Sequence, residues 1–403
     1  MKILAELKAL TASQRAAFVA NLLGWMLDAF DYFLVVFVLR ALAADFHAQV
    51  TDVAYALMLT LMFRPLGALI FGWLSDRHGR RPVLVANILL YSGLELASAF
   101  APSLGSFLVL RALFGIAMGG VWGVGSSLVM ESVPPASRGI ISGILQEGYA
   151  LGYLLAAVVY GLFFDLVGWR GMFVIGALPA VLVVYIRFGV KESPAWERRR
   201  AEPRPGGLLS SLRSHGGLFL YVIVLMAAFN FFSHGTQDLY PTLLQAQRKL
   251  STHVVSAIAI VANLGAIAGG VFFGALSQRI GRRRAVMAAS LLALPIVPLW
   301  SFALTPVLIG LGAFLIQFAV QGAWGVVPAH LNELSPREIR GTFPGFAYQL
   351  GNLLAACNAP IQTKVAAAHG GNYALPLAAT AAITAVALVA LTVRGPEAKD
   401  AVL

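Results

Sequence analysis

Asn230, His234 and Asp238 stand at i, i+4 and i+8 in the stretch NFFSHGTQDLYPT, inside an apolar run that begins near Leu218. On a helix this spacing puts an amide, an imidazole and a carboxylate on one stripe, with Ser233 and Gln237 beside them. Phe231, Phe232 and Leu239 take the other side. Such a stripe can bind a polar solute and exchange a proton. An imidazole with its ordinary pKa of about 6.5 suits a proton cycle across a physiological gradient. Asp238 can stabilise the charged ring or take the proton itself, and the spacing does not choose between them. In lipid such groups are costly and usually face a wet cavity or the bundle interior. The competing reading is that they only bond neighbouring helices together.

A second set lies early in the chain. Asp28 and Asp31 are one turn apart in the first apolar run, and Arg64 lies in the second at comparable depth. Two close carboxylates in a low dielectric do not both stay ionised without a cation. Either a protonatable Asp engages and releases Arg64, or the pair is permanent and structural. A carboxylate solute at mid-membrane needs a cation or several donors, and the fork of Arg64 matches it with two bonds. Arg111 starts its run and is expected to snorkel or pair locally. Glu95 is expected to be peripheral or structural. Gln146 and Gln349 are candidate wall residues, with Phe30, Phe33 and Tyr149 as apolar walls and Glu147 as a further candidate proton carrier. For these, helix packing is the competing role. No His/Cys/Asp group has zinc-like spacing, and neither metal nor cofactor is expected.

These residues need a bilayer around them. Of the 403 residues 59% are hydrophobic and only 12% charged, against about 25% in soluble domains. With a mean hydropathy of +0.79 this predicts an all-α, polytopic membrane protein. Runs long enough to span lie at about 18–41, 52–75, 83–101, 104–130, 139–164, 169–190, 217–246, 252–276, 284–303, 306–331, 341–367 and 371–393, twelve in all. Arg77, Arg80, Arg81, Arg138, Lys191, Arg198 to Arg200, Arg279, Arg282 to Arg284, Arg337 and Arg340 then share one face, together with Lys2, Lys8 and Arg15. Positive charge marks that face as cytoplasmic, with both termini on it. The net charge of +11 is therefore topological, and no nucleic-acid partner is expected. No cleavable signal is evident in the first sixteen residues. The lone Cys357 excludes an internal disulfide.

The charged, Pro- and Gly-containing segment 191–216 is expected to link two bundles, 1–190 and 217–403. The halves repeat at an offset of 202 residues. Gly72-x-Leu74-Ser75-x-Arg77-x-Gly79-Arg80-Arg81 returns from Gly274 to Arg283, Gly120, Trp122 and Gly123 return as Gly322, Trp324 and Gly325, and Glu131, Pro134, Arg138 and Gly139 return as Glu333, Pro336, Arg340 and Gly341. Such matching signals a duplicated unit. Parallel repeats place a substrate site between the halves near the midplane. The same offset carries Asp28 onto Asn230 and Asp76 onto Gln278.

The Gly72–Arg81 loop with Asp76 resembles the signature of the major facilitator superfamily. GWMLDAFDYF, RPLGALIFG and RALFGIAMGG, beginning at Gly24, Arg64 and Arg111, resemble its sialate:proton and metabolite:proton symporter branch. The 230–242 stretch is similar to the N-x-x-[S/T]-H-x-[S/T]-Q-D-x-x-x-T motif of Jen-type lactate and pyruvate permeases, and matches it at Asn230, Ser233, His234, Thr236, Gln237, Asp238 and Thr242. The resemblance implies two pseudo-symmetric six-helix bundles and a monocarboxylate:proton symporter in the cell membrane, monomeric rather than enzymatic. Its substrate residues would be Arg64, Asn230, His234, Gln237, Gln146, Gln349, Tyr149 and Phe33. Asp28, Asp31, His234, Asp238 and Glu147 would handle the proton. Asp76, Arg80, Arg81, Glu131, Arg138, Arg282, Glu333 and Arg340 would gate, with His330 near them. A sugar acid such as sialate, a dicarboxylate, or a non-transporting solute sensor are the alternatives.

Overall fold

In lipid an apolar run can satisfy its backbone only within itself, so each run closes its own hydrogen bonds as a helix. A computed structural model describes residues 10–48, 50–200, 208–399 and 401, with no strand among them. The first half holds α1 (Ala12–Asp45), α2 (Val50–His78), α3 (Arg80–Ala99), α4 (Leu104–Gly119), α5 (Val121–Ser132), α6 (Arg138–Gln146), α7 (Gly148–Ile175) and α8 (Leu182–Gly189). Two short helices follow, α9 (Pro194–Arg200) and α10 (Leu208–Ser214). The second half holds α11 (Gly216–Gln237), α12 (Thr252–Ile280), α13 (Arg282–Phe302), α14 (Pro306–Trp324), α15 (Val327–Leu334), α16 (Phe343–Ala355), α17 (Asn358–Ala368) and α18 (Ala374–Arg394). Thr11 opens α1 with a capping box: its hydroxyl accepts from the Gln14 backbone, and the Gln14 side chain answers at the Thr11 N–H.

Ten helices among the described residues are long and apolar enough to cross a bilayer, two fewer than the twelve runs. The shortfall has local causes. The fifth and sixth runs join in one 41-residue stretch, 135–175, too long for one crossing at 1.5 Å per residue. Gly168, at φ 60°, kinks it. Trp169 then packs against Phe46 and Phe107, and Gly176 and Pro179 interrupt the rest of the sixth run before α8. The eleventh run breaks at Ala356–Cys357 into α16 and α17, of 13 and 11 residues. Outward side chains remain apolar: Leu166, Phe188 and Val307 are 79%, 83% and 80% exposed, as lipid-facing surfaces require.

The duplication is visible in the backbone. Among the described residues, positive φ occurs at His47 and Lys249, Gly79 and Gly281, and Gly168 and Gly370, each pair 202 apart, with Gly371 as the unmatched addition. The halves also share a tight crossing. α2 packs on α4 and α12 on α14. A Cβ on Gly67 would stand 1.8 Å from the Ile116 carbonyl oxygen, and one on its mate Gly269 2.0 Å from that of Phe318. Only glycine permits that approach, and it fixes Arg64 one turn before Gly67. The connecting segment is more than a tether. Trp196 of α9 is buried and donates from Nε1 to the Asp76 carbonyl at 3.0 Å. Pro203, Pro205, Gly206 and Gly207 lie outside the described residues.

Candidate functional site

Between the halves lies a cavity of about 500 Å³. The first half contributes Trp25, Tyr32, Phe33, Arg64, Gln146, Glu147, Tyr149 and Tyr153; the second contributes Asn230, Ser233, His234, Gln237, Asp238, Gln317, Gln321, Trp324, Tyr348 and Asn352. The 230–238 stripe therefore faces the space between the repeats.

Arg64 is the charged group of the first-half wall with the most left to bond. Its side chain is only 4% exposed, and Nη2 stands 3.8 Å from Asp28 Oδ2, too far for a hydrogen bond. Nε and Nη2 have no hydrogen-bond partner, and neither does either oxygen of Asp28. The guanidinium lies 6.0 Å from the Trp25 ring centre. A buried fork with unmade bonds beside an aromatic face suits a planar carboxylate.

Opposite it, the stripe is wired. His234 Nδ1 lies 3.1 Å from Asp238 Oδ1, and Nε2 lies 3.2 Å from Asn352 Oδ1 on α16. With two oxygens facing it, the ring satisfies both only as the doubly protonated imidazolium. Turning the Asn352 amide presents a donor to Nε2 and suits the neutral ring. One amide rotation at Asn352 thus lets the same geometry accommodate either form of the ring. Asp238, with 39% of its side chain exposed, opens to the cavity. Asn230 spends a donor on the Met226 carbonyl at 2.8 Å, and Gln237 donates to Gln317 at 2.9 Å. Both line the wall but are held by their own half.

Other expected residues fall differently. Gln146 lines the wall, accepting from Trp122 Nε1 at 3.3 Å, and Phe33 and Tyr149 stack edge to face with centres 5.2 Å apart. Gln349 is not in the lining. It is buried with both amide atoms unbonded, and Tyr348 and Asn352 take the wall instead. The offset from Gln146 reaches Tyr348, and Gln349 is turned about 100° further round the helix. Phe30 is likewise a core residue of the first half, not a wall. Asp28 and Asp31 are fully buried behind the wall. Arg111 does not snorkel: it is buried, pairs with Glu95 at 2.8 Å and lies 4.4 Å from the Phe114 ring centre. Glu95 is correspondingly internal rather than peripheral. Tyr32, Tyr153 and Trp25 were not singled out from sequence. The offset does carry Tyr32 onto His234, and that signal was available.

A family model described as Major Facilitator Superfamily matches residues 22–262, and one described as Sugar (and other) transporter matches 211–399. The chain belongs to the major facilitator superfamily. Similar curated proteins include a carboxylic acid transporter protein homolog of Saccharomyces cerevisiae, 30% identical over 90% of this chain and 63% of its own length. The chain thus spans less than two thirds of that relative. The sialic acid transporter NanX of Escherichia coli is 30% identical over 85% of each chain, and a probable 4-methylmuconolactone transporter of Cupriavidus pinatubonensis is 32% identical over 87% of this chain and 83% of its own. The proton:xylose symporter XylE is similar in fold at 19% identity, with a TM-score of 0.79 over 96% of this chain and 97% of that one. Major facilitator proteins are transporters, and the chain is a multi-pass membrane transporter rather than an enzyme.

In this superfamily member the halves are joined at the end bearing the 72–81 loop. Asp76 accepts from the backbone N–H groups of Gly341 and Thr342 at 2.8 and 3.0 Å, just ahead of α16, and from the Thr342 hydroxyl at 2.8 Å. Within its own half it accepts from Arg80 Nη1 at 2.9 Å. Asp76 thus ties the backbone ahead of α16 to Arg80 of its own half. Gln278 mirrors it, accepting from the Gly139 N–H at 3.2 Å and from Arg282 at 3.1 Å. Arg80 forks onto Glu131 and Arg282 onto Glu333, each with Nη2 to Oε1 at 2.9 Å. Arg138 lies 3.8 Å from Glu333 of the other half and donates to the Ala401 carbonyl at 2.7 Å. Arg340 donates to the Ser335 carbonyl, and its own carbonyl accepts from Ser127 of the other half at 3.0 Å. The backbone N–H of Arg81 donates to Glu192 at 3.1 Å. His330 is buried there with neither ring nitrogen bonded.

Proposed function

We propose that the chain is a proton-coupled symporter of a small monocarboxylate of the lactate or pyruvate kind, working by alternating access. The observation that carries this reading is Arg64. Its unbonded N–H groups form one wall of a cavity whose facing wall holds the His234–Asp238 pair. The acid's carboxylate pairs with Arg64, and Asn230, Gln237 and Gln146 hold its polar substituents. Two arginines, Arg64 and Arg111, stand against Asp28, Asp31 and Glu95 in the first half. One proton on that cluster balances the count, and His234–Asp238 offers the second place for a proton. The relatives named for carboxylic acid, sialic acid and methylmuconolactone transport support an acidic cargo.

The basic loops place the joined end and both termini in the cytoplasm, and the membrane as the plasma or bacterial inner membrane. The chain works as a monomer, with protons and the acid as its partners. An anion with one proton carries no net charge, so the membrane potential, about 2.3 kcal/mol per charge per 100 mV, does not drive the step. Proteoliposomes carrying the purified protein should accumulate labelled lactate under an inward proton gradient. Uptake indifferent to pH would overturn the symport.

A second reading is a larger sugar acid. The cavity of about 500 Å³ is roomy for a three-carbon acid, and NanX is among the similar proteins. Competition by lactate, pyruvate and sialate for one labelled acid separates the two.

A further inference from the structure

Glu147 sits where α6 gives way to α7, with its backbone in the cap position between them. It is 3% exposed, lines the cavity floor, and its Oε1 has no hydrogen-bond partner. Among the described residues it forms no ion pair. That carboxyl presses on the opposite half. A Cβ on Gly270 of α12 would stand 1.8 Å from Glu147 Oε1. The contact continues a seam of glycines. A Cβ on Gly143 would be 2.4 Å from the Gly270 carbonyl oxygen, and one on Gly139 2.5 Å from that of Gly274. Around the neighbouring glycines, the backbone of Gln321 of α14 lies near Gly270 and Trp25 of α1 near Gly148. The charged or titratable side chains elsewhere in the lining are Arg64, His234 and Asp238, with tyrosines 32, 149, 153, 240 and 348.

We infer that Glu147 is the proton-linked latch of the joined end: its carboxyl closes against Gly270 only as the neutral acid and gives up its proton when the seam opens. This rests on the symporter reading and adds to it the residue that ties the proton to the rocking of the halves. The physical reason is one of partners. A carboxylate whose Oε1 is buried against the Gly270 backbone, with no cation and no donor there, loses hydration at that oxygen and gains nothing in return. The neutral acid has no such penalty and fits the narrow seam. Separation of α6 and α7 from α12 wets the group, and there the anion is the stable form. Linkage is reciprocal: losing the proton favours opening, and opening favours losing the proton. The step moves one proton from Glu147 Oε to water at the opened end and breaks no other bond.

The test separates two modes of transport in proteoliposomes. Glu147→Gln keeps the shape of the neutral acid but cannot release a proton. Accumulation driven by a proton gradient should fall at least about tenfold, and by more than any loss in exchange of labelled for unlabelled acid at equal pH. Proton-driven accumulation in Glu147→Gln equal to that of the parent would overturn the latch. Should the variant lose both modes, the parent protein decides. Spin labels at His78→Cys and Glu338→Cys, both exposed at the joined end, report its opening. In a Cys357→Ser background their separation should lengthen as pH rises, and adding Glu147→Gln should abolish that response. A pH response unchanged by Glu147→Gln would overturn the proposal. If the parent shows no proton-driven uptake at all, the symporter reading fails first, which is a different result.

Discussion

The joined end and the cavity are built from the same duplicated unit on opposite principles. At the joined end the copies agree. Arg80–Glu131 is repeated by Arg282–Glu333, and the cap from Asp76 to Gly341 by that from Gln278 to Gly139. Among the described joined-end residues named above, His330 and the Nε of Arg340 are the unbonded exceptions. In the cavity the copies disagree. The offset sets Asp28 against Asn230, Tyr32 against His234 and Arg64 against Ala266. Several groups in or behind the wall are left unbonded: Arg64, Asp28, Asp31 and Glu147. Bonded symmetry gives a seam that can close in one defined geometry. On the proposed reading, unmet polar groups, in a region whose partners differ between halves, are what a cargo and a proton would complete. Burying such groups costs stability, and a transporter recovers it only when loaded.

The most severe way to break this contrast is at Arg64. Arg64→Gln removes the anion partner and strands Asp28, a change of the kind that costs about 3–5 kcal/mol. Initial uptake should fall by about 100-fold or more, with Arg64→Lys intermediate because it lacks the fork. Retained uptake in Arg64→Gln would remove the cavity's anion site. The titratable stripe comes next. His234→Gln and Asp238→Asn should each lower uptake about tenfold or more, the range for hydrogen bonds to charged groups. Each should also flatten the rise in uptake as external pH falls from about 8 to about 5, the range in which His titrates. Leu239→Ala, just past the end of α11, should stay within about twofold; equal losses in all three would put the stripe outside the mechanism. The smallest effect sharpens the seam instead. Asp76→Asn weakens the bonds ahead of α16, by about 1–2 kcal/mol on the scale of lost caps. It should favour the opened joined end by roughly 5- to 30-fold, read as inter-half distances between spin labels. Gln278→Glu, which gives the second copy a carboxylate as the first has, should shift the distances the other way. A shift of the same sign in both would deny that the carboxylate holds the seam.

Much of this was legible in the residues themselves. The offset of 202 gave the two halves and the residues, though not the pairs, of the joined end, because duplicated contacts leave duplicated letters. Arg64 stood out because a buried guanidinium needs an anion. The errors came where a single position on a turn decides the outcome. Gln349 was placed on the wall by a near match in number, yet one residue turns a helical side chain by about 100°. Phe30 takes its packing alternative, inside the first bundle. The breaks at Gly168 and at Ala356–Cys357 were not marked, because apolar composition continues across them while the backbone does not. Glu147 was visible as a charge in a span, but its seat against Gly270 belongs to the packing of two helices far apart in sequence.

The paired left-handed positions, His47 with Lys249, Gly79 with Gly281 and Gly168 with Gly370, have a consequence for the ancestry of the chain. Divergence after the doubling changed what the inner faces hold and spared the places where the path reverses. Two descendants of one ancestral unit therefore still trace a common route through the bilayer. New cargo can be acquired by editing one copy's lining while the route stays as inherited.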